Sequence, residues 1–208
     1  MNTFDEATHT YTIDGVAVPS VTDVCSILTA SKYAANAGAI EAARARGTAV
    51  HELCEAYDYG VLDEVPQELA GYVKAWAAFC RDYRPKWLYI EHQMWSRKYE
   101  MAGTCDRVGI IGNQTCVVDI KSTSSMDRSS KASLIAQLFG YLLLLHENGI
   151  EASINDSMGV QLKKDGTYTT HSIKSVEGRY GINCPSLLYH CLEIYFAKNG
   201  RPEWNKTN

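Results

Sequence analysis

The stretch that decides the fold runs from Gly103 to Lys121, G-T-C-D-R-V-G-I-I-G-N-Q-T-C-V-V-D-I-K. It reads as two β-rich runs, Thr104–Ile111 and Gln114–Lys121, on either side of Gly112-Asn113. A Gly-Asn pair between such runs predicts a two-residue hairpin loop in which the glycine takes the positive φ. The loop fixes a register: Ile111 faces Gln114, and counting back sets Asp106 opposite Asp119 and Thr104 opposite Lys121. Strand side chains alternate faces, so Lys121 shares the face of Asp119. Carboxylates facing each other across a ladder have Cβ atoms roughly 4.5–5.5 Å apart and repel. A divalent cation held by oxygen ligands resolves that conflict, with the Lys121 ammonium beside it. The alternative is an exposed hairpin with two solvated aspartates and a lysine, because D-x-K alone is a common tripeptide.

Composition sets limits around this hairpin. A chain of 208 residues, 46% hydrophobic and 21% charged, suits one soluble globular domain with a sizeable core. Its longest strongly apolar run, Leu138–Leu145, is far too short for a membrane span. Met1–Glu6 has no basic start and no apolar core, so no secretion signal is expected. Seven cysteines, an odd number scattered among apolar neighbours, fit reduced buried thiols and a cytoplasmic location. Cys184 and Cys191 lack any C-x-x-C companion, which argues against a metal cluster there. A net charge of −4 argues against a protein that coats nucleic acid non-specifically, though not against one that meets it through a local basic groove.

Outward from the hairpin, the chain alternates between strand and helix signals. Thr8–Ile13 and Val16–Val18 form a small hairpin about Asp14-Gly15, and Ser20 caps a short helix with Asp23 in its first turn. A helix is expected from Lys32 to Arg46, stopped by Gly47, with Arg44 and Arg46 easing its dipole or contacting phosphate. Thr48 then caps a second helix, Ala49–Tyr59, on which His51 and Glu55 share a face. H-E-x-x-H zinc chemistry is excluded because Glu55 occupies the second histidine position. Gln67–Tyr83 is an amphipathic helix ended by Pro85, and Lys86–Ser96 a strand with Glu91 in its middle. Beyond a flexible link, Ser122–Ser130, a helix from Lys131 to Asn148 buries Leu134, Leu138, Tyr141, Leu142 and Leu145, with Gln137 one turn before Tyr141. Ile154–Lys163 and Thr167–Lys174 form another hairpin, and a helix from Pro185 to Lys198 closes the chain.

Four pieces now stand in order: R-G-T-A-V-H-E-L-C-E at Arg46–Glu55, A-G-T-C-D-R at Ala102–Arg107, V-V-D-I-K at Val117–Lys121 and Q-L-F-G-Y at Gln137–Tyr141. Together they resemble the RecB-type branch of the PD-(D/E)XK nuclease superfamily, and within it the phage exonucleases, over Val18–Lys164. The resemblance implies an α/β fold with a restriction-endonuclease-like core, a central mixed β-sheet flanked by helices. It implies one nuclease domain, 1–208: an N-terminal hairpin and helices over 1–47, a catalytic core over 48–164, and a C-terminal strand and helix over 165–208. It further implies His51, Asp106, Asp119 and the Ile120 backbone carbonyl as ligands of Mg²⁺, with Mn²⁺ able to substitute. Lys121 would orient or help deprotonate the attacking water, and Gln137 and Tyr141 would contact substrate or support the metal shell. Glu91 would have at most a supporting role. The expected activity is a metal-dependent DNA exonuclease in phage-type recombination or DNA-end processing, with DNA and an annealing protein as partners. The alternatives are an endonuclease of the same superfamily and a catalytically silent DNA- or protein-binding module. Metal-assisted hydrolysis fits the residues themselves, since carboxylates with one imidazole suit Mg²⁺ or Mn²⁺ and a nearby lysine can reach water or phosphate.

Overall fold

The computed structural model describes residues 1–30 and 37–204. Local turn chemistry builds the N-terminal sheet. Asp14 and Gly15 take φ of 50° and 79°, the left-handed pair that a tight hairpin needs, and join β2 (Thr10–Ile13) to β3 (Val16–Val18). β1 (Asn2–Asp5), beyond the expected hairpin, pairs with β2. Helix α1 (Val21–Ser26) starts at Ser20 with a reciprocal capping box to Asp23, and Val21, Val24 and Cys25 are buried.

Helix α2 (Ala37–Asp58) corrects the expected pair of helices. Gly47 does not stop it and Thr48 does not cap a new one; both lie in mid-helix, and the 1–47 and 48–164 portions of the single expected domain meet within it. A helical glycine costs about 1 kcal/mol relative to alanine. Full burial of Val50 and Cys54 on the following turns outweighs that cost. Arg44 and Arg46 therefore no longer sit at a helix C-terminus, and the dipole explanation for them lapses. Lys32–Asn36, where that helix was expected to begin, lie outside the described residues.

Helix α3 (Ala70–Tyr83) ends at Arg84, whose φ of 49° turns the chain before Pro85. The main sheet then follows: β4 (Lys86–Ser96), β5 (Met101–Ile111) and β6 (Gln114–Ser122) are successive antiparallel neighbours, with Gly112 at φ 62° in the loop. Helix α4 (Arg128–Glu147) begins earlier than expected because Asp127 accepts the Ser130 N–H as its cap. The crossover returns β7 (Met158–Leu162) parallel to β6, and β8 (Tyr168–Ser172) pairs antiparallel at the edge. Both strands are shorter than the expected hairpin. Ser172 caps an unanticipated helix, α5 (Ile173–Tyr180), which takes in Lys174, and α6 (Cys184–Asn199) closes the fold.

The result is a five-stranded mixed sheet with helices on both faces, the α/β architecture expected. On one face α1, α4, α5 and α6 cover Cys105, Val108 and Val117. On the other, α2 and α3 cover Val118, Ile120, Val160 and Leu162. The backbone of Ala102 at the start of β5 donates to the Pro19 carbonyl, and the Tyr11 and Thr104 hydroxyls meet at 2.7 Å, which moors the small sheet to the large one.

Candidate metal centre

The hairpin keeps its expected register from Ile111–Gln114 back to Arg107–Val118 and stops there. Beyond that point β5 stays with β4 as far as Met101 and β6 stays with β7 as far as Ser122, so the strands part into a fork. Asp106 and Asp119 lie at the first unpaired step rather than across a closed ladder. The reason is competition for a backbone donor: the Asp106 Oδ2 accepts the Ile120 N–H at 2.5 Å, in place of a backbone carbonyl. Thr104 likewise does not face Lys121; it pairs with Gln93 of β4.

Helix α2 aims His51 into the fork. Its Nε2 lies 3.1 Å from the Ile120 carbonyl. Its Nδ1 faces Asp106 Oδ1 at 3.5 Å and Glu91 Oε1 at 3.9 Å, and in the neutral tautomer that donates Nε2–H the Nδ1 lone pair is open to a cation. Ligand atoms of His51, Glu91 and Asp106 all lie within 4.8 Å of one another, the one such group of three among the described residues. Glu91 therefore stands in the cluster, not merely beside it. Asp119 lies below, essentially buried, with Oδ2 2.8 Å from the Lys121 ammonium. Lys121 also donates to Gln137 Oε1 at 3.0 Å. Gln137 is braced by Ser133, whose hydroxyl bonds the Cys25 carbonyl of α1. Tyr141 is buried one turn on, its hydroxyl 3.4 Å from that of Thr22 and its ring so close to Gly103 that a Cβ there would sit 3.2 Å from Cε1.

The fork is electrostatically loaded. Burial, and then repulsion from Asp106, push the Glu91 carboxyl up to about 7. Burial pushes Asp119 up to about 6 against the pull of Lys121. For Lys121, burial favours the neutral amine, but the Asp119 and Asp106 carboxylates outweigh it and hold the pKa above the ordinary lysine value. Asp58 and Glu91 pair with Arg107 and Asp119 pairs with Lys121, while the Asp106 carboxylate faces His51; the four carboxylates exceed the two cations by two negative charges when all are ionised. Hard oxygen donors, one imidazole and that excess fit a divalent ion such as Mg²⁺ or Mn²⁺. Cys184 and Cys191 differ: they sit in the apolar core, and burial pushes their thiols up to about 12 and about 11.

Three participants escaped sequence reasoning. Glu91 was given at most a supporting role, and Arg107 and Asp58 none. Each carried a faint signal, a charge within or at the end of an otherwise apolar, patterned element. Arg107, fully buried, donates Nε to Asp58 Oδ2 at 2.7 Å and Nη1 to Glu91 Oε1 at 3.0 Å.

Among the described residues no helix is long and apolar enough to cross a membrane. No curated protein matches the chain. A solved structure, "Crystal structure of SSO0001", is similar at 15% identity over 89% of this chain and 78% of that one, with a TM-score of 0.39 that carries no argument. The family model of the PD-(D/E)XK nuclease superfamily matches residues 33–171, a span that holds α2, the fork and the Gln137–Tyr141 turn of α4. This chain belongs to the PD-(D/E)XK nuclease superfamily.

Proposed function

We propose that the protein is a metal-dependent DNA exonuclease of the RecB-type, phage-exonuclease branch, acting in recombination or DNA-end processing. The observation that carries the hydrolytic part is the opened fork, where His51, Glu91 and Asp106 converge beside an Asp119–Lys121 ion pair. The exonuclease part, and an annealing protein as partner, rest on the order of the four motifs.

His51, Glu91 and Asp106 would hold a Mg²⁺ or Mn²⁺ ion, with Asp119 and the Ile120 carbonyl adjacent. When bound, such an ion lowers the pKa of water and polarises a phosphoryl oxygen. Lys121 donates one N–H to Gln137 and is ion-paired with Asp119, which leaves its ammonium an N–H to offer a water or phosphate. In the metal-free fork its carboxylate neighbours favour the charged ammonium, and in the loaded site Lys121 would orient the attacking water or help deprotonate it. Gln137 sets the ammonium's direction and, with Ser133, ties it to α1. Tyr141, its hydroxyl kept neutral by burial, stands one helical turn beyond Gln137 with its hydroxyl towards Thr22.

The test is degradation of end-labelled linear duplex beside closed-circular DNA, with Mg²⁺, Mn²⁺ or EDTA, by wild type and Asp119→Ala. Metal-dependent loss of the linear substrate alone, absent in the variant, is expected, and the label reports polarity. Cleavage of the circle would make the enzyme an endonuclease. Intact metal binding with neither DNA cleaved would favour a binding module.

A further inference from the structure

The candidate ligands come from three elements, α2, β4 and β5, and one buried side chain touches all three. Arg107 has a side-chain exposure of 0%. Its Nε bonds Asp58, two helical turns beyond His51 on α2, and the Asp58 carboxylate, 1% exposed, also accepts Trp76 Nε1 at 3.0 Å. Its Nη1 bonds Glu91 of β4 and, at 2.6 Å, the carbonyl of Asp106 on its own strand. The guanidinium lies 5.8 Å from the Trp76 ring centroid.

Glu91 needs such a hold. It has a φ of 48° in the middle of a strand, a left-handed conformation that is strained for a glutamate. Its neighbours Ile90 and His92 pair with Arg107 and Cys105, while Glu91 has no partner in the register. In that conformation its carboxylate lies 3.9 Å from His51 Nδ1, and the Arg107 hydrogen bond holds it there. A tie between α2 and β5 alone would be complete with Asp58. The further hydrogen bond is spent on a member of the metal cluster, and the carboxylate still has a second oxygen to offer a cation.

We propose that Arg107 is a positioning residue, a single guanidinium that sets Glu91 and Asp106 at ligand distance from His51 and keeps Glu91 in its strained conformation. The inference rests on the metal-centre reading above. A lysine cannot replace it, because a point charge on a flexible stem does not reach Asp58, Glu91 and the Asp106 carbonyl in one fixed geometry.

The test is Mn²⁺ affinity measured by calorimetry on the full chain without DNA, with folding monitored by circular dichroism. Arg107→Lys preserves the charge and should weaken Mn²⁺ binding by roughly tenfold or more, the usual consequence of losing a group that orients a ligand. Glu91→Gln should weaken it comparably, and the loss in the double variant should fall short of the product of the two single losses, because Arg107 acts in part through Glu91. Asp58→Asn, which loosens the guanidinium from α2 without altering a ligand, should also weaken binding, so a poorly folded Arg107→Lys does not protect the proposal. Unchanged affinity in folded Arg107→Lys or Asp58→Asn, or independent losses that multiply in the double variant, would overturn it. Absence of Mn²⁺ binding by the wild type would instead overturn the metal-centre reading itself.

Discussion

The two ends of one hairpin behave in opposite ways. From Gly112 back to Arg107–Val118, β5 and β6 are zipped, and Val108 faces Val117 in the buried core. One step further the backbone pairing ends, and a carboxylate takes over a backbone N–H. The zipped end satisfies its polar groups and buries its apolar ones, so it contributes stability. At the open end buried carboxylates are held near one another, which costs stability and would, in the proposed metal centre, favour a cation. Stability and chemistry are thus separated along about 30 Å of the same two strands, at 3.3 Å per residue.

Substitutions at the two ends should therefore have different readouts. The largest effect is expected at Lys121: Lys121→Ala should reduce cleavage by at least about a hundredfold while leaving DNA binding largely intact. Retained cleavage would remove Lys121 from the mechanism. Next, Asp106→Asn keeps an oxygen for the Ile120 N–H but loses the charge that repels Glu91 and Asp119. It should cost about tenfold or more in Mn²⁺ affinity and raise the melting temperature of the metal-free protein. A lower melting temperature would mean that the open end is not electrostatically strained. At the zipped end, Val117→Ala should do the reverse, costing roughly 1–3 kcal/mol by chemical denaturation with Mn²⁺ affinity unchanged.

The pH dependence follows from the open end as well. Glu91 and Asp119 titrate at about 7 and about 6. An unfolded chain releases those protons near pH 4. The native state therefore holds protons that the unfolded state has lost, and metal-free stability falls as pH rises from about 4 to about 7. A cation displaces the same protons, so the Mn²⁺-induced rise in melting temperature should grow through about pH 6–7 and level off above. A pH-independent increment would contradict these assignments. The smallest effect is expected away from the hairpin. A Cβ at Gly47 would meet only the Ser122 hydroxyl oxygen, at 4.0 Å, so Gly47→Ala should stabilise α2 by up to about 1 kcal/mol in thermal melts.

What could be read in the sequence was local. Asp14-Gly15, Gly112-Asn113 and the Ser20 capping box each decide their own turn, and the structure follows them. The mixed sheet with helices on both faces followed from element order and from the motif resemblance. What could not be read depends on contacts distant in sequence. The continuity of α2 through Gly47 is decided by Val50 and Cys54 finding Val118 and Ile120 in the same core. Counting from the turn predicts the register only while backbone groups alone compete for it, and the Asp106 carboxylate ends that condition. Glu91 looked secondary on a strand of alternating residues, because neither its positive φ nor its bond to Arg107 leaves a periodic trace.

Whether the open fork is a divalent-metal centre can be decided by anomalous diffraction from crystals grown with Mn²⁺. A strong peak is expected, bounded by His51 Nδ1 and the Glu91 and Asp106 carboxylates, with Lys121 alongside. An empty fork at saturating Mn²⁺, or a peak elsewhere in the fold, would contradict a metal centre there.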